Sequence, residues 1–232
     1  GGTVINCAAA ALGTATLSPT NLTTGTTYYV RVYDYNGNSS SCTFTICIDG
    51  ATQQDCAGAT IVNSYFTLSG TATSYGTQEY SSSTFGCLVG GEHRSLWYKM
   101  KVTSPGTIAF SLTPTASQDI DFAIWGPYAS SSCSNITGSP LRCTFAANGG
   151  SVGGLSDSYF DASETASGDG WLRSIGCPTC TSTYGETAVA ANQWYIFLID
   201  GWSSFNGSSL SLTWTGTATL PIVLTDFTGE AF

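Results

Sequence analysis

The order of hydrophobic and polar residues along the chain predicts strands almost throughout. Three segments alternate apolar and polar residues with a period of two, as a strand with one buried face does: 95–102, 107–114 and 208–215. Two others, 121–125 and 194–199, are apolar on both faces and are typical of central strands. Segments rich in Gly, Ser, Asn and Pro separate them, and no stretch longer than two turns has helical apolar spacing. The pattern predicts an all-β fold, an antiparallel and jelly-roll-like β-sandwich.

An internal similarity links residues 28–48 to residues 194–214 without a gap. Both segments contain an apolar run, an Asp-led polar loop and a second apolar run, which we interpret as a β-hairpin. The aligned pairs include Tyr29 with Tyr195, Val30 with Ile196, Val32 with Leu198 and Asp34 with Asp200. The simpler alternative is that any two hairpins resemble each other. A hairpin cannot bury its own apolar face, so each copy needs further strands to pack on.

The repeat predicts a domain organisation. Residues 1–48 are expected to be the C-terminal hairpin of a preceding sandwich repeat, or strands donated to a neighbouring subunit. Residues 49–218 are expected to form a complete β-sandwich. Residues 219–232 are then the start of a following module or a linker.

Composition narrows the class of protein. Of the residues 42% are hydrophobic and only 9% are charged, and the formal net charge is −9. A chain this acidic would be repelled by a nucleic-acid backbone, so we expect no nucleic-acid partner. No apolar run approaches the roughly 20 residues that span a bilayer, so the chain is not expected to span a membrane. A surface rich in hydroxyl groups and poor in charge is typical of extracellular proteins.

Nine cysteines stand against a single histidine, which favours disulfides over a zinc site and an oxidising compartment over the cytosol. One cysteine is left over, either free or paired outside these residues. The expected disulfides join neighbours in sequence: Cys133 with Cys143, Cys56 with Cys87, and Cys177 with Cys180. A structural zinc site would need a second pair of ligands beside Cys177 and Cys180. The fold is therefore predicted to be disulfide-stabilised.

Several short motifs resemble a known extracellular domain. They are 55–59 (DCAGA), 96–99 (LWYK), 119–127 (DIDFAIWGP), 141–143 (LRC) and the strand and turn over 194–202. Together they resemble a β-sandwich domain of secreted Bacteroidota surface proteins, similar to gliding-motility-associated adhesins and large repetitive proteins. Residues 220–230 resemble the segment that precedes a type IX secretion sorting domain. The resemblance covers about residues 26–230, apart from an insertion over 146–187, and implies attachment at the cell surface rather than catalysis.

Candidate catalytic groups are few. A hydrolase triad or dyad would have to use His93, the only histidine, which lies in a Gly-Gly-Glu-His-Arg segment. No Gly-x-Ser-x-Gly motif occurs. Acidic residues such as Glu164 and Glu186 do not form a recognisable pair for glycoside hydrolysis. We therefore expect no enzyme.

Calcium is the one cofactor that the sequence suggests. Asp119 and Asp121 are two residues apart on a predicted strand and point to the same side, and carboxylate oxygens suit Ca²⁺. Asp169 and the acids over 157–161 could add ligands. The alternative is that these aspartates accept hydrogen bonds from neighbouring turns.

Aromatic residues near strand ends are candidates for stacking on sugar rings. They are Trp125, Tyr128, Trp171 and Trp202. The alternative is that they fill the ends of the sandwich.

Three functions remain open at this stage. The first is a non-catalytic adhesion or binding module of a secreted or cell-surface bacterial protein, with glycans or polysaccharide as partners. The second is a structural subunit of an extracellular filament that assembles with copies of itself by strand exchange. The third is an accessory carbohydrate-binding domain of a secreted hydrolase.

Overall fold

The structure is a computed structural model, which describes residues 26–32, 52–62, 68, 71–72, 76–79, 86–88, 91–114, 118–145, 152–158, 170–177, 188–202, 205–206 and 210–221. The chain divides into two compact units, Gly1–Cys47 and Ile48–Phe232. Of the first unit the structure describes residues 26–32, and all seven are exposed. The role of residues 1–48 as the end of a preceding repeat falls almost wholly outside the described residues and stays a prediction.

In the second unit the structure describes strands and two short 3-10 turns. The described strands are β1 (Thr60–Val62), β2 (Thr71–Ala72), β3 (Ser95–Lys101), β4 (Phe110–Pro114), β5 (Ile120–Tyr128), β6 (Arg142–Thr144), β7 (Gly153–Ser156), β8 (Trp171–Arg173), β9 (Trp194–Gly201), β10 (Phe205–Asn206) and β11 (Leu210–Trp214). The 3-10 turns are Cys56–Gly58 and Cys133–Asn135. All five segments with strand periodicity are strands in the structure, so these predictions are confirmed.

The strands form two main sheets. One has five strands in the order β1-β3-β9-β5-β6 and the other has four in the order β11-β4-β7-β8, while β10 pairs with β2 separately. Most neighbours are antiparallel, but β1 pairs with β3 and β7 pairs with β8 in parallel. The two strands predicted to be central, β5 and β9, each have a neighbour on both sides.

The main core lies between the five-stranded and four-stranded sheets. Phe110 of β4 contacts Phe122 of β5 and Phe197 of β9, with ring centroids 5.6 and 5.3 Å apart. Leu155 and Leu172 close the core from the four-stranded sheet and are fully buried. Removing this much apolar surface from water is the main driving force for the fold. The prediction of a disulfide-stabilised all-β sandwich is confirmed.

The predicted hairpin over residues 194–214 is wrong. Its first strand, β9, lies in the five-stranded sheet, whereas its second strand, β11, pairs with β4 in the four-stranded sheet. Both edges of β9 are already hydrogen-bonded, to β3 and to β5. The chain therefore crosses from one sheet to the other after β9. In the aligned segment 28–48, residues 28–32 contain no strand, so the strand prediction is wrong there too, and residues 33–48 lie outside the described part.

The sandwich packing continues past residue 218. Ala218 and Leu220 belong to the main core, and Thr219 bridges to Ser104. The expected linker or further module over 219–232 otherwise lies outside the described residues. No helix in the described part of the chain has the length and apolar character to cross a membrane.

Candidate functional site

The five-stranded sheet carries a second apolar cluster on the face that points away from the main core. We call this face the outer face. Period-two alternation places Trp97 of β3, Ala123 and Trp125 of β5, and Leu198 of β9 on it. The rings of Trp97 and Trp125 stack with centroids 5.7 Å apart. Described residues of loops and turns, Cys56, Cys87, Leu88 and Ile136, complete this cluster.

Two disulfides fasten those loops over the outer face. Cys56 pairs with Cys133 and Cys87 pairs with Cys143, with Cα–Cα distances of 6.0 and 5.8 Å. The sequence identified these four cysteines as disulfide-bonded, but both expected pairings, Cys133 with Cys143 and Cys56 with Cys87, are wrong. The 3-10 turns at Cys56 and Cys133 meet over the Trp97–Trp125 cluster, so partners come from distant segments. Cys177 is also disulfide-bonded; Cys180 lies outside the described residues, so its pairing stays a prediction.

A hydrogen-bonded cluster lies where β9 ends and β3 begins. The carboxylate of Asp200 is 1% exposed, and its Oδ1 accepts bonds from the backbone N–H groups of His93 and Arg94 and from the Ser95 hydroxyl. Its Oδ2 lies 2.8 Å from Nδ1 of the His93 ring. Because a carboxylate can only accept, Nδ1 carries the proton in this bond. Asp200 therefore fixes both the position and the ring orientation of His93.

An exposed tryptophan lies against this fixed histidine. Trp202 follows β9 and is 54% exposed, and its ring is 4.3 Å from the His93 ring between centroids. The Arg94 guanidinium donates a hydrogen bond from Nη1 to the backbone carbonyl of Trp202 at 3.2 Å. The backbone N–H of Trp202 donates a hydrogen bond to the backbone carbonyl of Asp119 at 3.2 Å. We call His93, Arg94, Asp200 and Trp202 the β9 corner.

The β9 corner does not form a catalytic triad. The Ser95 hydroxyl bonds to Asp200 and not to the His93 ring, so His93 has no hydroxyl nucleophile among its described contacts. A Ser–His–Asp site requires the serine at the second ring nitrogen. Glu164 and Glu186 lie outside the described residues.

Buried acids lie beside the corner on the outer face. Glu92 is 3% exposed, and its carboxyl accepts bonds from the Glu79 backbone N–H and from Trp97 Nε1. Burial, with the nearby Glu79 carboxylate adding to it, raises the pKa of Glu92 to about 8. Burial also raises the pKa of Glu79, whose Oε2 accepts the Cys56 N–H at 2.6 Å. These acids join the disulfide-bearing loops to β3.

The predicted calcium ligands lie next to the corner. Asp121 is opposite Asp200 in the β5–β9 ladder, and Asp119 contacts Trp202 through its backbone. The Asp119 Oδ1 is buried without a hydrogen bond, and burial raises the pKa of this carboxyl. However, the described residues contain no group of three or more His, Cys, Asp or Glu side chains that could hold a metal ion. Of the additional ligands only Asp157 is described, so calcium binding stays a prediction.

The four candidate aromatic residues differ in exposure. Trp125 is 1% exposed and donates from Nε1 to the Gly138 carbonyl, so it fills the outer-face cluster and the expectation of a stacking role is corrected. Tyr128 is half-buried against the same cluster, and burial raises the pKa of its phenol. Trp171 is half-buried on β8. Trp202 alone among the four is exposed.

Sequence reasoning missed Arg94, Glu92 and the structural role of Asp200. The signal for Asp200 was present, since it begins the polar loop of the repeat. Arg94 follows His93 directly, but its role depends on the distant Trp202. The burial of Glu92 has no local sequence signal, because it depends on how the segments of Glu79 and Trp97 pack against it in the fold.

Comparisons with models of protein families, with curated proteins and with solved structures find no match for this chain. The class is therefore defined by the fold and the site: a disulfide-stabilised β-sandwich that presents an exposed tryptophan on a hydrogen-bonded histidine.

Proposed function

We propose that this chain is a non-catalytic binding module of a secreted or cell-surface protein, and that it binds glycans at the β9 corner. The observation that carries the proposal is Trp202, an exposed indole held against a histidine that a buried carboxylate fixes. Most exposed side chains are mobile and lose entropy on binding. A pre-ordered aromatic surface avoids part of that loss.

The chemistry of the corner suits a sugar. The apolar face of a pyranose ring packs on an indole, and ring hydroxyls need directional hydrogen-bond partners. The corner supplies such partners beside Trp202, in His93 and Arg94. Disulfides fit a protein that works outside the cell, where thiols are oxidised. Export by the type IX system and attachment at the cell surface belong to this proposal and rest on the sequence resemblance.

The test compares two exposed aromatic residues. Wild type, Trp202→Ala and Phe145→Ala are run by affinity electrophoresis through gels that contain single polysaccharides. Phe145 is a matched control, because it is 45% exposed and lies at the end of β6. We expect at least one polysaccharide to retard wild type and Phe145→Ala equally. We expect Trp202→Ala to bind about tenfold more weakly, which corresponds to ~1.4 kcal/mol. Equal binding by Trp202→Ala and wild type would contradict the proposal.

A second candidate function is assembly by strand exchange, and residues 26–32 favour it. In this segment Tyr29 is 93% exposed and Val30 is 62% exposed. Their aligned partners in β9, Tyr195 and Ile196, are buried in the centre of the five-stranded sheet. An exposed apolar segment can pair with the strands of another chain.

Sedimentation velocity over a hundredfold range of concentration tests this candidate. Strand exchange predicts oligomers in wild type and their loss in Val30→Asp. Val152→Asp is the control, because Val152 is also exposed but lies in the second unit. A single monomeric species at all concentrations would exclude assembly by this segment alone.

A further inference from the structure

The positive charges of this chain are few, and their places in the structure are unequal. There are six Lys and Arg residues against a net charge of −9. In the second unit, Arg142 and Arg173 are buried, Lys99 lies near Glu79, and Lys101 lies over the Trp194 ring, while Arg31 belongs to the first unit. The sixth, Arg94, lies at the corner beside the exposed indole.

Arg94 keeps most of its hydrogen-bonding capacity. A guanidinium has five N–H donors, and the bond from Nη1 to the Trp202 carbonyl uses one of them. Among the described residues no carboxylate lies within ion-pair distance of Arg94, since the ion pair at the corner joins His93 to Asp200. Arg94 as a whole residue is half-exposed. Arg94 is therefore positioned to bind an anionic group of a ligand through its remaining N–H donors.

His93 presents a second nitrogen in the same place. Its Nδ1 is held by Asp200, which leaves Nε2 without a hydrogen bond to the described residues. The Asp200 carboxylate itself is buried and satisfied by four donors, so it does not face a ligand. The corner thus combines an exposed indole, a half-exposed arginine and a partly exposed imidazole.

We infer that the β9 corner selects glycans that carry carboxylates, with a uronic acid ring on Trp202 and its carboxylate on Arg94. The inference rests on the proposed function and names its ligand class. A guanidinium matches a carboxylate in two parallel hydrogen bonds, which a neutral hydroxymethyl group cannot form. Because the chain has a net charge of −9, long-range electrostatic repulsion disfavours a polyanion. Selectivity for acidic glycans therefore has to come from a local contact.

Matched polysaccharide pairs test the inference. Polygalacturonate is compared with its methyl ester, and carboxymethylcellulose with hydroxyethylcellulose, so that the backbone stays the same. Wild type should bind the acidic member of at least one pair about tenfold more tightly at 50 mM NaCl, and the difference should shrink at 500 mM. Arg94→Gln should lose the preference, and Arg94→Lys should keep part of it. Lys101→Gln removes the same charge elsewhere and should keep all of it.

The results distinguish selectivity for acidic glycans from glycan binding itself. Equal affinity of wild type for both members of each pair overturns the inference, and so does equal loss in Arg94→Gln and Lys101→Gln. Binding to a neutral polysaccharide that Trp202→Ala abolishes would at the same time still support the proposed function. If no polysaccharide binds in a way that depends on Trp202, both are overturned.

Discussion

Glu92 is a buried carboxyl group that gives the fold a pH dependence. Burial raises its pKa from 4.5 to about 8 in the folded chain. Between those values the folded protein keeps the Glu92 proton, whereas the unfolded chain releases it. The free energy of unfolding is therefore not reduced by Glu92 below about pH 4.5. As pH rises from 4.5 towards 8, the free energy of unfolding falls by an amount on the order of 4 kcal/mol. The raised pKa of Glu79 acts in the same direction.

The first prediction concerns this slope. Glu92→Gln keeps the shape of the protonated side chain and removes its titration. The free energy of unfolding, measured with urea between pH 5 and 8.5, should therefore decline much less with pH in this variant than in wild type. Asp157→Asn also replaces a carboxyl by an amide, at an exposed residue that is bonded to Ser174, and should keep the decline. A wild-type stability that is flat over this range would contradict the burial of Glu92.

At the scale of elements, loops tied by disulfides bury the apolar cluster on the outer face of the five-stranded sheet. Each disulfide spans a long stretch of chain, with sequence separations of 77 and 56 residues. Closing loops of this length lowers the entropy of the unfolded chain and is worth about 4 kcal/mol each. The loops also exclude water from the Trp97–Trp125 stack and from Glu92.

The second prediction separates the observed pairing from pairing between neighbours in sequence. In Cys133→Ser, thiol labelling followed by peptide mapping should find the new free thiol at Cys56. The double variant Cys56→Ser/Cys133→Ser should lose about 4 kcal/mol in urea unfolding. Label on Cys143 in the single variant would instead show that Cys133 pairs within its own loop, against the structure.

The strands that position the site could be predicted from periodicity, but their partners could not. The runs that became β3, β5 and β9 stand out because their apolar residues must fill the core or the outer-face cluster. The hairpin prediction is wrong because neighbours in sequence pair only where a strand edge is free. Both edges of β9 are hydrogen-bonded, to β3 and to β5. The cysteine pairs failed for a related reason, since the turns at Cys56 and Cys133 meet only after the sheet has formed.

For the whole molecule, the site is a product of topology. His93, Asp119 and Trp202 were each notable in sequence, yet they are far apart along the chain. They meet because β9 runs antiparallel to both β3 and β5, so that the end of β9 adjoins the start of each neighbour. Both Trp125 and Trp202 were candidates near strand ends, but only Trp202 faces solvent. Trp125 ends a predicted strand that is apolar on both faces, whereas Trp202 lies after the apolar run of β9.

The most direct test of the account is to observe which tryptophan meets the ligand. The chain has six tryptophans, and each indole N–H gives its own signal in a nitrogen-15 NMR spectrum. Titration with trigalacturonate and with its methyl ester should shift the Trp202 signal, assigned from the Trp202→Ala spectrum. The signals of the buried Trp97 and Trp125 should stay in place. Shifts at other tryptophans while Trp202 stays unmoved would contradict binding at the β9 corner.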